Sequence, residues 1–274
     1  MTGETSADGY LEFLIARDGE PDFARHTLSR REAFFERLAR DPVRSRLPID
    51  RAAYLRNLAR RRPESGLDER ILWLVVTAKA NQAERFGVGL AELYGRITAD
   101  SDPVLVHIQL QEFYHTRLLA DVVGMFGLPV HPRPPALFAR VIIRLTIALP
   151  ERWHLPLAGA AEMVGCVMFR ALRDRGVALF AEEPAVAERI RLLYDEILGD
   201  EIGHVGQIAS RLGPTGRAIM RRLYRVLAHS VAGGLPELRA LFGRRELARR
   251  FGAAFRLDEM VAELPGRAYA AALI

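Results

Sequence analysis

Apolar residues recur at helical spacing through most of the chain, and almost no segment alternates as a strand does. Because apolar residues three and four positions apart line one face of a helix, this pattern predicts an all-α fold. Four long helical segments stand out, at 69–98, 104–123, 157–175 and 187–212. A tight link at 99–103, with Asp or Ser as a cap and proline in the first turn, makes the first two antiparallel neighbours.

Shorter helical patterns flank these four segments. They cover 29–41, 49–61, 215–232 and 236–252. The first twenty residues are polar at their start, and we expect them to be poorly ordered at first and to become helical by about Leu11. The N-terminal region 1–66 is therefore predicted as a helical extension and 215–274 as further helices that pack on the central group.

The two halves of the central region are joined by a proline-rich segment. Residues 127–156 contain six prolines around the amphipathic stretch 136–149, which predicts a long crossover connection. With this connection, 68–212 is predicted to form a four-helix bundle. At 274 residues the chain is long enough for a large core and short for two enzymatic domains, so we expect a single domain.

Composition and charge narrow the functional classes. The net charge is +5, Lys79 is the only lysine, and no aromatic-interleaved basic motif accompanies the arginines, so we expect no nucleic-acid partner. Cys166 is the only cysteine, which excludes an internal disulfide and fits a reducing compartment. No signal-peptide pattern is visible and charges interrupt the apolar runs, so we expect a cytoplasmic protein without a membrane span.

Several acids lie on apolar helix faces, where a hydrophobic residue is expected, and these acids predict the chemistry of the site. Two motifs of the form Glu-x-x-His each put a carboxylate and an imidazole on one helix face, and a lone acid on an apolar helix precedes each motif. The ordered set is Glu84, Glu112, His115, Glu162, Glu201 and His204. An acid on an apolar face needs a compensating partner, and a cation is the simplest one. This order is that of a two-metal carboxylate site in a four-helix bundle.

Other interpretations of single residues stay open. Each acid taken alone could pair with an arginine. Glu92 is the rival of Glu84, but Glu84 is level with the first motif when helix rise is counted from the loop. A third Glu-x-x-His, at Glu151–His154, lies between Pro150 and Pro156, and we interpret it as a coincidence within a connection.

The order and spacing resemble the ferritin-like diiron-carboxylate superfamily, which includes ribonucleotide reductase small subunits, multicomponent monooxygenases, acyl-carrier desaturases and aminobenzoate N-oxygenases. The resemblance covers 69–212 and implies a ferritin-like bundle with two iron ions. It implies that Glu84, Glu112 and His115 hold one ion, that Glu162, Glu201 and His204 hold the other, and that one or two carboxylates bridge them. Hard carboxylates with one imidazole per metal suit iron, manganese or a mixed pair better than zinc.

The resemblance also implies supporting residues. Asp200 matches a position that accepts the ring N–H of a histidine ligand from the facing helix, and Gln111 could play a weaker form of that role. An ordinary surface acid is the alternative for Asp200. Two departures leave the subfamily open: Ile197 stands where N-oxygenases carry an extra histidine, and Gly203 stands where several monooxygenases carry arginine.

Small residues one turn beyond the two lone acids predict a cavity for dioxygen and an organic substrate, although tight helix packing explains the same glycines. These residues are Gly87, Val88, Gly165 and Cys166. Tyr114 and Tyr194 are further possible pocket residues, and they are close enough in sequence to the motifs to be candidates for a redox role.

Three functions are compatible with these patterns. The leading hypothesis is a di-iron oxygenase or oxidase that uses dioxygen and an external electron donor to hydroxylate, desaturate or N-oxygenate a small organic molecule. The alternative is iron storage or detoxification, but storage ferritins are shorter and lack two symmetric Glu-x-x-His motifs. The third is a metal-free helical scaffold. The extra helices on both sides of the bundle are more typical of substrate-pocket or homodimer-interface elements than of a storage protein.

Overall fold

The computed structural model describes residues 4–93, 98, 100–131 and 137–269. Within them the chain forms eleven helices and one two-stranded hairpin, so the all-α prediction is confirmed. The helices are α1 (Glu4–Asp18), α2 (Ser29–Arg40), α3 (Arg51–Ala59), α4 (Glu69–Leu93), α5 (Pro103–Gly124), α6 (Leu137–Ala148), α7 (Glu151–Leu179), α8 (Pro184–Ser210), α9 (Pro214–Gly234), α10 (Pro236–Gly252) and α11 (Leu257–Glu263). The antiparallel hairpin pairs β1 (Pro21–Asp22) with β2 (Thr27–Leu28).

The four longest helices, α4, α5, α7 and α8, surround the centre of the molecule. Helix α4 packs on α5 and α7, and α8 packs on the same two helices, so the four contact one another in a closed cycle. Arg173 Nη1 donates to Asp195 at 2.9 Å near one end of the α7–α8 pair, and Gly159 lies beside Ile208 near the other. These contacts make α7 and α8 antiparallel.

Trp73 anchors the core between α4, α7 and α8. Its indole Nε1 donates to the carbonyl of Leu172 at 2.8 Å, and its ring packs on Phe180 and Tyr194. The side chain is fully buried, so its polar atom needs this partner as much as its ring needs an apolar contact. Gly176 on α7 leaves the space that the indole occupies.

The flanking helices lie on the outside of the central four. Helix α1 and the hairpin contact α5, α3 contacts α4, α9 packs on α7 and α10, α10 also contacts α4, and α11 contacts α8. The predicted helices at 29–41, 49–61, 215–232 and 236–252 are confirmed within a few residues as α2, α3, α9 and α10. The N-terminal helix begins at Glu4, so the chain is helical by Leu11, as predicted.

The connection between the two helix pairs is shorter than predicted. Its amphipathic segment is observed as α6, and residues 132–136 lie outside the described part of the chain, as do 94–97 at the end of the first predicted long helix. Helix α7 begins at Glu151 and runs through Pro156, which contradicts the prediction of a connection there. Pro150 precedes the helix and its carbonyl accepts from the amides of Trp153 and His154 at 2.9 Å, so a tight first turn lets the chain enter the helix before Pro156.

One helix of the described residues is long and apolar enough to cross a membrane. It covers Arg152–Leu179 in α7, so the expectation that charges interrupt every apolar run too early was wrong for this segment. Half of the most apolar stretch of this helix is buried inside the protein, where α7 packs on α4, α8 and α9. A core helix of this kind is weak evidence for a membrane span.

Candidate metal centre

The first Glu-x-x-His motif lies on the inner face of α5. The helix begins at Pro103, and Asp102 caps it by accepting from the amide of Val104 at 2.9 Å. Glu112 and His115, three residues apart, both point toward the middle of the four helices, and Glu112 Oε2 lies 3.6 Å from His115 Nδ1. The imidazole of His115 is fully buried.

The second motif faces the first from α8. Glu201 Oε1 lies 3.5 Å from His115 Nδ1, and His204 Nδ1 lies 3.2 Å from Glu112 Oε1. The two imidazole centroids are 6.0 Å apart. One oxygen of Glu112 therefore faces each histidine, which makes this carboxylate the geometric link between the two motifs.

Helices α4 and α7 supply the two lone acids. Glu84 joins Glu112 and His115 in one group, and Glu162 joins Glu112 and His204 in another; the ligand atoms within each group lie within 4.8 Å of one another. Each group could hold a metal ion. Glu112 belongs to both groups, whereas the resemblance assigned it to one ion and left open which carboxylates bridge. A carboxylate shared in this way has the geometry of a bridge.

Three buried atoms at the cluster have no hydrogen-bond partner among the described residues. They are Nδ1 of His115, Nδ1 of His204 and Oε2 of Glu201. Buried polar atoms are nearly always satisfied, so three unsatisfied ones that converge on the same carboxylates need an explanation. Metal ions between these atoms would satisfy all three.

The acids of the cluster shift one another's proton affinity. Burial and the nearby charge of Glu112 raise the pKa of Glu84 to about 8. Burial and the neighbouring Glu162 raise the pKa of Glu201 well above its usual range. Crowded, buried carboxylates disfavour one another's charged form. They can all be ionised together only if cations lie among them.

The pKa values of the two imidazoles are also raised, which in a histidine favours the charged form. Burial alone would lower the pKa of both rings, but Glu112 and the other carboxylates raise the pKa of His115 to about 10 and that of His204 to about 9. Burial also works to raise the pKa of Glu112, yet the two rings hold it well below its usual range. Glu112 and the two imidazoles therefore favour one another's charged form.

The outer nitrogen of each imidazole is held by a different acceptor. His115 Nε2 lies 3.1 Å from Oδ2 of Asp200, and His204 Nε2 lies 2.8 Å from Oε1 of Gln111. A carboxylate only accepts, so His115 Nε2 carries the proton and Nδ1 faces the cluster. Sequence reasoning assigned this kind of role to both residues, and the structure places each one against a ring.

The orientation of Gln111 is itself determined by a neighbour. Its Nε2 donates to Asp18 Oδ2 at 2.7 Å, which leaves Oε1 as the acceptor toward His204. Both imidazoles therefore donate outward through Nε2 and present Nδ1 to the carboxylates. This outer hydrogen bond fixes the tautomer and ring orientation of a ligating histidine.

A buried ionic network behind the histidines comes from the N-terminal helices and was missed in the sequence. Arg31 donates through Nε to Asp18 at 2.9 Å and through Nη2 to Asp200 at 2.6 Å. Arg17 pairs with the same two acids. Nothing in the local pattern of α1 or α2 marks these residues, because they are brought to α5 and α8 only by tertiary packing.

A cavity of about 1530 Å³ opens beside the carboxylates. Glu84, Glu112, Glu162, Glu201 and His204 line it, and so do three predicted pocket residues, Gly87, Val88 and Gly165. His154 of the discounted third motif lines it as well. That motif lies in helix α7, so its dismissal as part of a connection was wrong.

The other three predicted pocket residues are not among those that line the cavity. Cys166 is fully buried in the core. The hydroxyl of Tyr114 donates to Glu32 at 2.7 Å, and that of Tyr194 lies 2.9 Å from the hydroxyl of Thr77. Both tyrosines are held by contacts away from the carboxylate cluster because their ring directions are set by core packing.

Tyr10 is the tyrosine that packs against the second motif. Its hydroxyl lies so close to Gly203 that a side chain there would collide with it. The arginine that several monooxygenases carry at this position would therefore not fit beside Tyr10. Burial, opposed by Arg17 and reinforced by Asp200, raises the pKa of Tyr10 well above its usual range.

Compared with protein-family models, with curated proteins and with solved structures, the chain gives no match in any of the three. The donor set and its geometry therefore carry the functional argument.

Proposed function

We propose that this protein is a ferritin-like non-haem di-iron oxidoreductase that uses dioxygen to oxidise a small organic substrate. One observation carries the proposal. Two buried histidines, each fixed through Nε2, direct unpartnered Nδ1 atoms at a shared carboxylate, with three further carboxylates around it. Carboxylates with one imidazole for each ion form a donor set that suits oxygen-preferring metals.

Charge balance supports two divalent ions. Glu84, Glu112, Glu162 and Glu201 supply four negative charges when ionised, which two dications neutralise. One imidazole and hard carboxylate oxygens for each ion favour iron or manganese over zinc. When bound, two ferrous ions would supply electrons for the reduction of dioxygen, and an external donor would restore them.

The chain's own residues have three tasks in this proposal. Glu112, whose two oxygens face the two imidazoles, would help to hold both ions. Asp200 and Gln111 keep the imidazoles oriented, because each accepts a hydrogen bond from the Nε2–H of one ring. The four central helices exclude bulk water from one side of the cluster, and the cavity admits substrate from the other.

The cavity favours oxidation of an organic molecule over iron storage. Its lining includes apolar side chains of α4, α5 and α7, among them Ala80, Ala83, Ile108 and Met168, and outside the cluster Glu237 is the only carboxylate among its described lining residues. A path for iron ions would need more carboxylate ligands along the way. Iron storage or detoxification remains the alternative that the experiment below separates.

The test is to load the purified protein with ferrous iron without oxygen, measure bound iron, and then follow oxygen consumption and the visible spectrum. We expect about two irons per chain, as the two ligand groups predict. Glu162→Ala should lose iron and oxygen consumption together, whereas Glu92→Ala, at an exposed acid on α4, should keep both. Many irons per chain would indicate storage, and no bound iron would contradict both metal functions.

A further inference from the structure

The cavity beside the carboxylates is larger than dioxygen and two ions require. Its volume of about 1530 Å³ exceeds the roughly 300–1,000 Å³ of ordinary small-molecule sites. It extends from the carboxylate cluster to the end of α3 and the start of α10. The cavity therefore has room for an extended organic molecule with one end at the cluster and the other at its mouth.

Charges in the cavity are distributed unevenly. Apart from the four carboxylates of the cluster, the described lining residues with a permanent charge are Arg60, Arg61, Arg62, Lys79, Arg140, Arg211, Arg239 and one acid, Glu237. With the cluster included, the described lining has seven cations and five acids. The positive charge of the lining therefore lies outside the carboxylate cluster.

Lys79 connects the two helix ends that carry several of these positively charged residues. Its ammonium donates to the carbonyl of Arg60 at 2.7 Å and pairs with the carboxylate of Glu237, so it joins the end of α3 to the first turn of α10. The same contacts neutralise Glu237, the one acid in that part of the lining. Lys79 precedes Glu84 by five residues, about 7.5 Å along the axis of α4.

Three arginines at this corner have no ion-pair partner among the described residues. They are Arg61 and Arg62, which follow α3, and Arg239 in the first turn of α10; we call them the arginine rim. Guanidinium groups bind carboxylates and phosphates through paired hydrogen bonds. An unpaired group of them at the mouth of an apolar cavity fits an anion.

A polar side chain also lines the cavity close to the cluster. Gln109 lies one turn before Glu112 on α5. Its carboxamide provides a hydrogen-bonding group for a bound molecule.

We propose, on the basis of the function proposed above, that the substrate is an amphiphilic organic anion. Its carboxylate or phosphate binds the arginine rim, its apolar body lies along α4 and α7, and its far end reaches the carboxylate cluster near Gln109. Carboxylate and phosphate ligands of this class share a terminal oxyanion on a hydrocarbon or ring system. Cationic amphiphiles and neutral alcohols lack this oxyanion.

Calorimetric titration with dodecanoate, dodecyl phosphate, dodecanol and dodecyltrimethylammonium, each below its micelle concentration, tests this. We expect the anions to bind at least about tenfold more tightly than the alcohol, as charge-assisted hydrogen bonds imply. The triple variant Arg61→Gln/Arg62→Gln/Arg239→Gln should lose this preference and keep its affinity for dodecanol. Tighter binding of dodecanoate would assign a carboxylic acid, and tighter binding of dodecyl phosphate a phosphate ester.

The matched control removes three exposed arginines from α9, as Arg221→Gln/Arg222→Gln/Arg225→Gln, with the same change in net charge. It should bind as the unmodified protein does. Equal binding of anion and alcohol, tighter binding of the cation, or equal losses in the two triple variants would overturn the inference. Iron content and oxygen consumption, measured on the same preparations, report separately on the proposed function: iron without anion preference contradicts the substrate class alone, and anion preference without iron contradicts the oxidoreductase.

Discussion

Gln111 donates a 2.7 Å hydrogen bond to Asp18, and this contact connects the N-terminal helix to the carboxylate cluster. The bond decides which end of the Gln111 amide faces His204. It therefore also decides which nitrogen of that imidazole is available to a metal. Helix α1 thus acts on the site although none of its residues belongs to the predicted ligand set.

Gln111→Leu tests this relationship. It removes the acceptor of His204 Nε2 while Asp18 keeps both arginines, so we expect metal affinity to fall by roughly 10–100-fold. The buried ring N–H left without an acceptor should also cost about 1–3 kcal/mol of unfolding free energy. Metal-binding isotherms and denaturant unfolding measure the two effects. Gln109→Leu on the same helix is the control and should leave metal affinity unchanged.

Metal stoichiometry distinguishes a shared carboxylate from a terminal one. Glu112 belongs to both ligand groups and Glu84 to one. We therefore expect Glu112→Ala to lose both metal ions and Glu84→Ala to keep close to one, as measured by metal analysis after gel filtration. Glu92→Ala on α4 should keep both ions. Two ions retained by Glu112→Ala would show that this residue does not bridge.

Removing the metal should destabilise the protein. An ion that binds only the folded state adds about 2.7 kcal/mol when its concentration is 100 times its Kd. Calorimetric melting in the presence of a chelator should therefore give a lower Tm than with added ferrous iron under argon. In Glu112→Ala the chelator should change little. An equal drop in that variant would mean that the chelator acts elsewhere.

Replacing either of two helical glycines with alanine should change the unfolding free energy, with opposite sign at the two positions. A Cβ at Gly176 would collide with the indole of Trp73, so we expect Gly176→Ala to cost about 1–3 kcal/mol. Gly89 is exposed on α4 and has no neighbour within 4 Å of an added Cβ. There alanine should stabilise the helix by about 0.5–1 kcal/mol, because it lowers the entropy of the unfolded chain. Denaturant unfolding of both variants checks the contrast.

Much of the helical framework could be predicted from the sequence. The 3.6-residue period located α4, α5, α7 and α8 because each of these helices buries an apolar face against its neighbours. Local signals also predicted a Ser or Asp cap before α5, and the structure shows that the cap is Asp102. The start of α7 was misjudged because Pro156 disfavours a helix locally, whereas packing of α7 on α8 and α9 stabilises that turn.

The sequence by itself determined which acids are out of place and in what order, since an acid on an apolar helix is visible in the pattern of residues. Only the tertiary structure decided that Glu112 lies between both histidines and that Gln111 serves one ring and Asp200 the other. It also decided that Asp18 and Arg31 support them and that unpaired arginines converge on the cavity. These relationships join residues up to 183 positions apart, as Arg17 and Asp200 show. Side-chain directions across such separations depend on how helices pack, which no local period encodes.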